Sequence, residues 1–396
     1  MMTSLPRRWR IVLALFVVTY GISTPLAAYG VFLPILAEVF GWSRGALSTA
    51  LSINLLLGGV AGFAIGALAD RHGPRLMLVV TVALAGAGFA LVGVLTALWQ
   101  LYVCVGIIGG IGMSSFYLLA AATVSHWFDD RRALAIALVL VGFNLGYISA
   151  GPLAASLIGH LGWRGAYAVL GVGCGVLTLV AALTVRLPRE GERPGRHAVV
   201  AVTARSGVTL GEALGDARQW YLNASWFLTG ALAFMISVHI VPFARDHGVG
   251  LAAASLGLTA YGLGSATGRV GSGVISEHLG APLTIRIGYV VQIVALVGIW
   301  WAPSQSVLLA ALVAFGVGFA AADTMFTKVI PDVFGMRAIG AIMGILALGW
   351  RAGAALGPAA AGFLYDATGS YGTPFGAAPF AVVVSWILFA LGTRRA

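Results

Sequence analysis

Charge is what this sequence has least of. Asp, Glu, Lys and Arg make up 9% of its 396 residues, whereas a soluble domain carries about 25%. That excludes a water-soluble globular domain. Cysteine is nearly absent too. The two present, Cys104 and Cys174, both lie in apolar runs, which excludes a disulfide framework. The seven histidines (72, 126, 160, 197, 239, 247 and 278) show no paired metal-ligand spacing such as HExxH. No nucleophile–base pair stands out, and no GxxxxGK[ST] supports ATP-driven pumping. An enzyme is therefore not expected, nor any metal or cofactor. What is abundant is apolar surface: 60% of residues are hydrophobic and the mean hydropathy is +0.97. Glycine, at 55 residues, is about double the usual ~7% and suits close helix–helix approach in a bilayer.

A spanning helix needs ~20 mostly apolar residues, and lipid admits only helices or closed barrels. Barrel strands alternate polar and apolar residues, and these runs do not. From Leu76 to Phe128 there is no charged residue at all, a length that suits two helices with a turn at Trp99-Gln100. Read in this way, the chain predicts an all-α integral membrane protein with twelve spans. They fall near 11–37, 46–69, 76–97, 101–124, 133–158, 165–185, 219–243, 251–276, 283–301, 306–330, 338–363 and 375–393. The basic N-terminus and its apolar run resemble a signal peptide, but the run is about twice the 7–15 residues of an h-region. It reads as a retained first helix. The one substantial polar segment, 186–218, divides the chain into six-helix bundles at 1–185 and 219–396, joined by a linker.

The basic residues fix the orientation. With the N-terminus in the cytoplasm, Arg44, Arg164 and Arg245 fall outside, and Arg269 and Arg351 fall inside helices. The other 18 of the 23 are cytoplasmic, as the positive-inside rule requires. Both termini are then cytoplasmic. The net charge of +10 is a topology signal, and nucleic acid is not needed to explain it.

The two halves resemble each other. Gly66, Asp70 and Gly73 match Gly273, Glu277 and Gly280 at an offset of 207, as Gly41 and Ser48 match Gly248 and Ser255. GPLAASL at 151–157 matches GPAAAGF at 357–363. Two six-helix halves with weak internal symmetry are a transporter signature, with the substrate site near the midplane.

The stretch Gly66-x-Leu68-Ala69-Asp70-Arg71-x-Gly73-x-Arg75 closely resembles the loop 2–3 signature of the major facilitator superfamily, and the resemblance covers the whole chain. It implies that fold, with alternating access. A carboxylate and two guanidiniums at a helix end can latch neighbouring helices in one conformation and release them in another, so Gly66, Asp70, Arg71, Gly73 and Arg75 are gating candidates. Several further stretches resemble the monocarboxylate-transporter and oxalate/formate-exchanger branch. They are Tyr29-Gly-Val-Phe-Leu-Pro34, Phe40-Gly-Trp-Ser-Arg44, Val238-His-Ile-Val-Pro242, Gly268-Arg269-x-x-Ser272-Gly273, Arg337-Ala338-x-Gly340 through Gly357-Pro358, and Leu364-Tyr365-Asp366. This resemblance implies carboxylate transport. Arg269 matches the branch's eighth-span arginine, and Arg351 stands where an eleventh-span lysine is found.

Ionisable residues inside a bilayer are functional candidates by default, and here they are Arg269, Asp323 and Arg351. A guanidinium keeps its charge when buried and offers a planar fork to a carboxylate. Arg269 is expected to hold the substrate carboxylate, and Arg351 a second anionic group. Asp323 either neutralises one of the arginines or takes the proton that couples transport. His239, near the end of the seventh span, is a weaker coupling candidate, because a lone histidine there is more readily hydrogen-bonded to a neighbour. Tyr29, Tyr117, Tyr261, Phe326 and Trp350 lie at depths that suit a cavity or interhelical packing. Asn144 either bonds substrate or bridges helices. Gly142, Gly146 and Gly151-Pro152 loosely resemble the motif of drug/proton antiporters, but Ala154-Ala155 depart from it.

The expected function is a secondary carrier of small organic anions, mono- or dicarboxylates, coupled to proton symport or anion exchange. Its partners would be the anion, a proton or counter-anion, and membrane lipid. It would act as a monomer, in a bacterial inner membrane to judge by the compact loops. The alternative is a proton-coupled efflux antiporter of drug-like molecules. For cationic drugs, two arginines against one aspartate give the wrong sign.

Overall fold

The computed structural model describes residues 6–114, 116–128, 131–188 and 207–394. Most of the expected linker, 189–206, lies outside the described residues, as does Arg395. Among the described residues there is no strand, only an isolated bridge between Gly207 and Gly335. The fold is all-helical.

The helices are α1 (Arg7–Phe40), α2 (Arg44–His72), α3 (Pro74–Leu91), α4 (Leu98–Trp127) and the long α5 (Arg132–Thr184). After the linker come the short α6 (Leu210–Gly215), then α7 (Ala217–Asp246), α8 (Leu251–Leu279), α9 (Ala281–Trp300), α10 (Gln305–Phe334), α11 (Ile339–Thr368) and α12 (Gly372–Gly392). Among the described residues, 10 helices are long and apolar enough to cross a membrane when α5 counts once. But α5 runs 53 residues and breaks at Gly162, whose φ of 68° and ψ of 171° are not helical. It supplies two spans. The 29-residue α8 is long enough as well, with its apolarity diluted by glycine, serine, threonine, Arg269 and Glu277. The twelve expected spans are thus present.

The fourth span differs from its expected form. It is not one regular helix: Tyr102–Gly109 winds as a π-helix, and a turn follows at Met113-Ser114. The cause is local crowding. Gly88 of α3 lies against the Cys104 carbonyl and Gly109, and Gly112 lies against the Ala85 backbone, leaving no room for a Cβ. Backbones this close exchange helical regularity for contact, and π-turns recur where an α-helix is so disturbed.

The described chain clusters into two compact units: Met1–Ile35 with Ile53–Ala201, and Leu36–Ser52 with Val202–Ala396. The assignment of 36–52 to the second unit has concrete causes. Ser52 Oγ donates to the Ala355 carbonyl at 2.5 Å, and Asp366 accepts from the backbone N–H groups of Arg44 and Gly45 at 2.9 and 2.8 Å.

The internal repeat reappears in backbone geometry. The positive-φ turn glycines Gly41, Gly73 and Gly162 recur as Gly248, Gly280 and Gly369, each 207 residues on. Gly73 and Gly280 both precede a helix with proline in its first two positions. Interhelical contacts repeat too. In the first unit Gly142 abuts Phe16 and Gly146 abuts Tyr20; in the second Gly349 abuts Asn223 and Gly353 abuts Phe227. Every one of these residues is shifted by 207. Asn144 and Arg351, each set between two such glycines, therefore occupy corresponding places.

Candidate functional site

The second unit brings two charge-bearing helices, α8 and α10, together. Arg269 of α8 reaches α10, where its two terminal nitrogens divide between neighbours. Nη2 lies 3.3 Å from Asp323 Oδ2 and Nη1 donates to Thr324 Oγ1 at 3.3 Å. Asp323 Oδ1 accepts from the indole N–H of Trp226, on α7, at 3.0 Å. Trp226 is fixed in turn by stacking on Phe326, with centroids 5.5 Å apart and planes at 5°. The pair is unevenly placed: 35% of the Arg269 side chain is exposed, against 13% of Asp323. Arg269 thus keeps one open flank.

Arg351 of α11 is half-buried and has no hydrogen-bond or ion-pair partner among the described residues. Beside it, the buried indole nitrogen of Trp350 also has none, while its ring meets Phe234 edge-on at 5.9 Å. A bare cation at a membrane-spanning position is costly. Together with Asp323 bound to Arg269, it leaves the interior of this unit short of negative charge.

The other candidate residues are placed as follows. Tyr261 is buried against Phe315 and Phe319. Phe326 is wholly buried between Trp226 and Phe389. In the first unit, Tyr29 is wholly buried. Tyr117, 49% exposed, lines a small hollow with Ala120, Ala121, Ile136 and Leu140. Asn144 is half-buried and, among the described residues, reaches only the Leu140 carbonyl on its own helix, at 3.4 Å. Gly66 lies inside α2 against Leu118, Gly73 caps α3 with a φ of 87°, and Asp70, Arg71 and Arg75 are exposed.

His239 is fully buried and saturated. Its Nε2 lies 2.8 Å from the Pro358 carbonyl and 3.2 Å from Ser48 Oγ, and its Nδ1 lies 2.8 Å from the Tyr371 hydroxyl. A carbonyl only accepts, so Nε2 carries the proton and Nδ1 accepts from Tyr371. Tyr371 belongs to a wider cluster. The Arg44 guanidinium lies over the rings of Tyr365 and Tyr371, at 3.8 and 5.1 Å, and makes a two-point pair with Asp246, both contacts at 2.7 Å. Three of the sequence stretches, 40–44, 238–242 and 364–366, meet here. Arg44, Arg164 and Arg245 are the three cations that break the charge bias, and all are engaged. Arg164 donates to the Gly93 and Leu95 carbonyls, and Arg245 lies 3.7 Å from Glu38.

Sequence reasoning missed Trp226 and Thr324 at the Arg269 site, and Tyr371 beside His239. Thr324 carries a usable signal, since it adjoins an intramembrane aspartate. An indole in an apolar helix carries none.

Helices of this length and apolarity, in two halves with matched turns and packing, define a multi-pass membrane protein built by duplication. The family model of the Major Facilitator Superfamily matches residues 11–305 and 227–396, and the chain belongs to that family. It is a membrane transporter of small molecules and not an enzyme. It is 29% identical over 385 residues to human monocarboxylate transporter 11, covering 93% of this chain and 79% of that protein. With the oxalate:formate antiporter of Oxalobacter formigenes it shares 25% identity over 256 residues, 65% of this chain and 60% of that one. Its fold matches a crystal structure of a bacterial homologue of the human lysosomal transporter Spinster, with a TM-score of 0.77 at 17% identity, over 99% of this chain and 96% of that one.

Proposed function

We propose that the protein carries small organic anions, mono- or dicarboxylates, by alternating access between six-helix bundles at 1–185 and 219–396. The observation that carries this reading is the bare guanidinium of Arg351, accompanied by an unpartnered indole N–H and by an Arg269 that is only half-committed. An anion with one or two carboxylates relieves that imbalance, and a cation worsens it. The names of the similar carriers, for monocarboxylates and for oxalate and formate, support the same chemistry. Of the two arginines, Arg351 is the readier anchor, and Arg269 takes the second anionic group or the same one from another side.

Asp323 is the better candidate for the coupling proton, because it faces the arginine that the substrate would also want. His239 is the poorer one, since both its ring nitrogens are engaged. Coupling is to proton symport or to exchange of one anion for another. Gly66, Asp70, Arg71, Gly73 and Arg75 form the latch at the cytoplasmic end of α2. The termini are cytoplasmic, the membrane is the bacterial inner membrane, and the working unit is a monomer.

The test is thermal stabilisation of the purified protein by mono-, di- and tricarboxylates, with lipophilic cations and sugars as controls. A ligand that binds only the folded state stabilises by about 2.7 kcal/mol at a hundred times its dissociation constant. Shifts confined to carboxylates, and lost in Arg351→Gln, are expected. A response only to cations or neutral hydrophobic drugs sinks the anion reading in favour of efflux.

A further inference from the structure

An arginine and an aspartate left to themselves favour a two-point fork, with both carboxylate oxygens on the guanidinium. Arg44 and Asp246 do this, at 2.7 Å on both arms. Arg269 and Asp323 do not: they touch through one oxygen at 3.3 Å. The difference lies in what else each group holds. The Trp226 N–H occupies Asp323 Oδ1, and Thr324 Oγ1 occupies Arg269 Nη1. The indole cannot swing away, because its ring is stacked on the wholly buried Phe326.

We propose that Trp226 is a positioning residue that keeps Arg269 available to an anionic substrate, by holding Asp323 to a one-point grip. Without the indole N–H, Asp323 turns both oxygens onto Arg269 and competes with the substrate carboxylate for the same fork. Thr324 does the same service from the arginine's side. The inference rests on Arg269 being a substrate-binding residue.

Trp226→Phe tests it, since phenylalanine keeps a ring over Phe326 and removes the donor. Binding of lactate and of oxalate is measured by calorimetry on wild type, Trp226→Phe, Trp226→Phe with Asp323→Asn, and Arg269→Gln. Trp226→Phe is expected to raise Kd roughly tenfold, the size of one charge-assisted hydrogen bond. Adding Asp323→Asn restores affinity, because an amide cannot clamp the guanidinium. Thr324→Val, which leaves Trp226 untouched, is expected to weaken binding in the same direction. An unchanged Kd in Trp226→Phe, with binding lost in Arg269→Gln, overturns the positioning role and leaves the site reading standing. Binding retained in Arg269→Gln, or absent from wild type, removes the reading on which the role rests. A structure of Trp226→Phe decides the geometry without any ligand: an Asp323 that still offers one oxygen to Arg269 overturns the proposal.

Discussion

The two halves share a backbone plan and differ in what they bury. Turn glycines recur at 41 and 248, 73 and 280, and 162 and 369, and the same glycines seat the same helix pairs. Yet the second half carries Arg269, Asp323, Arg351 and His239 at positions where the first has Gly62, Phe116, Asn144 and Phe32. Polar contacts of the first half include hydroxyls bonded to backbone, as with Thr19 on the Val139 carbonyl at 2.6 Å and Thr81 on Met77 and Leu78. The halves share what helix packing needs, whereas the intramembrane charges Arg269, Asp323 and Arg351 lie in the second half only.

The largest test of this contrast is the Arg351 and Asn144 pair. Arg351→Gln is expected to lower carboxylate affinity by about 10²–10³-fold, the ~3–4 kcal/mol lost when a desolvated charge pair cannot form. The same change leaves thermal stability unchanged or raises it, because an unpartnered charge in a membrane-spanning helix costs stability. Asn144→Ala, at the matched place, is expected to cost less than tenfold in affinity. Equal losses at the two positions would show that the halves share substrate binding after all.

Next in size is His239. Replacing it with Phe, the residue its counterpart Phe32 already is, removes its buried hydrogen bonds to the Tyr371 hydroxyl, the Pro358 carbonyl and Ser48. About 2–4 kcal/mol of stability should be lost, read as a lower melting temperature in detergent. A loss of proton coupling without a loss of stability would make His239 the coupling group instead.

Much of this fold was legible because lipid simplifies the code. Runs such as Leu76 to Phe128 admit only helices, and the matched glycines at 41 and 248 and at 73 and 280 announce a repeat. The two spans of α5 were legible, since His160 and Arg164 interrupt the apolar run beside Gly162, where the helix breaks. The π-helix at 102–109 depends on how closely α3 approaches, which no single segment records. At the candidate site, Arg269, Asp323 and Arg351 stood out as charges in apolar surroundings. Which arginine Asp323 would choose depended on the relative rotation of α8, α10 and α11. The commitment of Asp366 to the start of α2 crosses 322 residues of sequence and leaves no local trace.

A smaller test compares the shared packing. Gly353→Ala places a Cβ on the Phe227 carbonyl, whereas Gly146→Ala meets chiefly the Ser23 hydroxyl, with the Tyr20 carbonyl farther off. Backbone cannot yield and a hydroxyl can rotate. Gly353→Ala should cost about 1–3 kcal/mol and Gly146→Ala less, both measured by thermal melting. The reverse order would mean that the first half is the more tightly packed.

The smallest effect lies at the entrance to the second half, where α7 begins with a side-chain cap. Asp216 accepts from the Arg218 backbone N–H at 2.8 Å and pairs with its guanidinium at 2.7 Å. The Arg218 contact holds the Asp216 carboxyl below the usual carboxylate range. A carboxyl lowered on folding adds stability above its unfolded pKa and loses it as pH falls through the folded value. Asp216→Ala should therefore cost about 1 kcal/mol near neutral pH, the usual value of an N-cap, with the ion pair adding little at this exposure. As pH falls through that lowered folded value the variant and the wild type should converge, because the wild-type carboxylate is then protonated. Melting curves of the two proteins across that range are the check. A difference that persists into acid would assign the effect to the alanine's backbone preference and not to the charge.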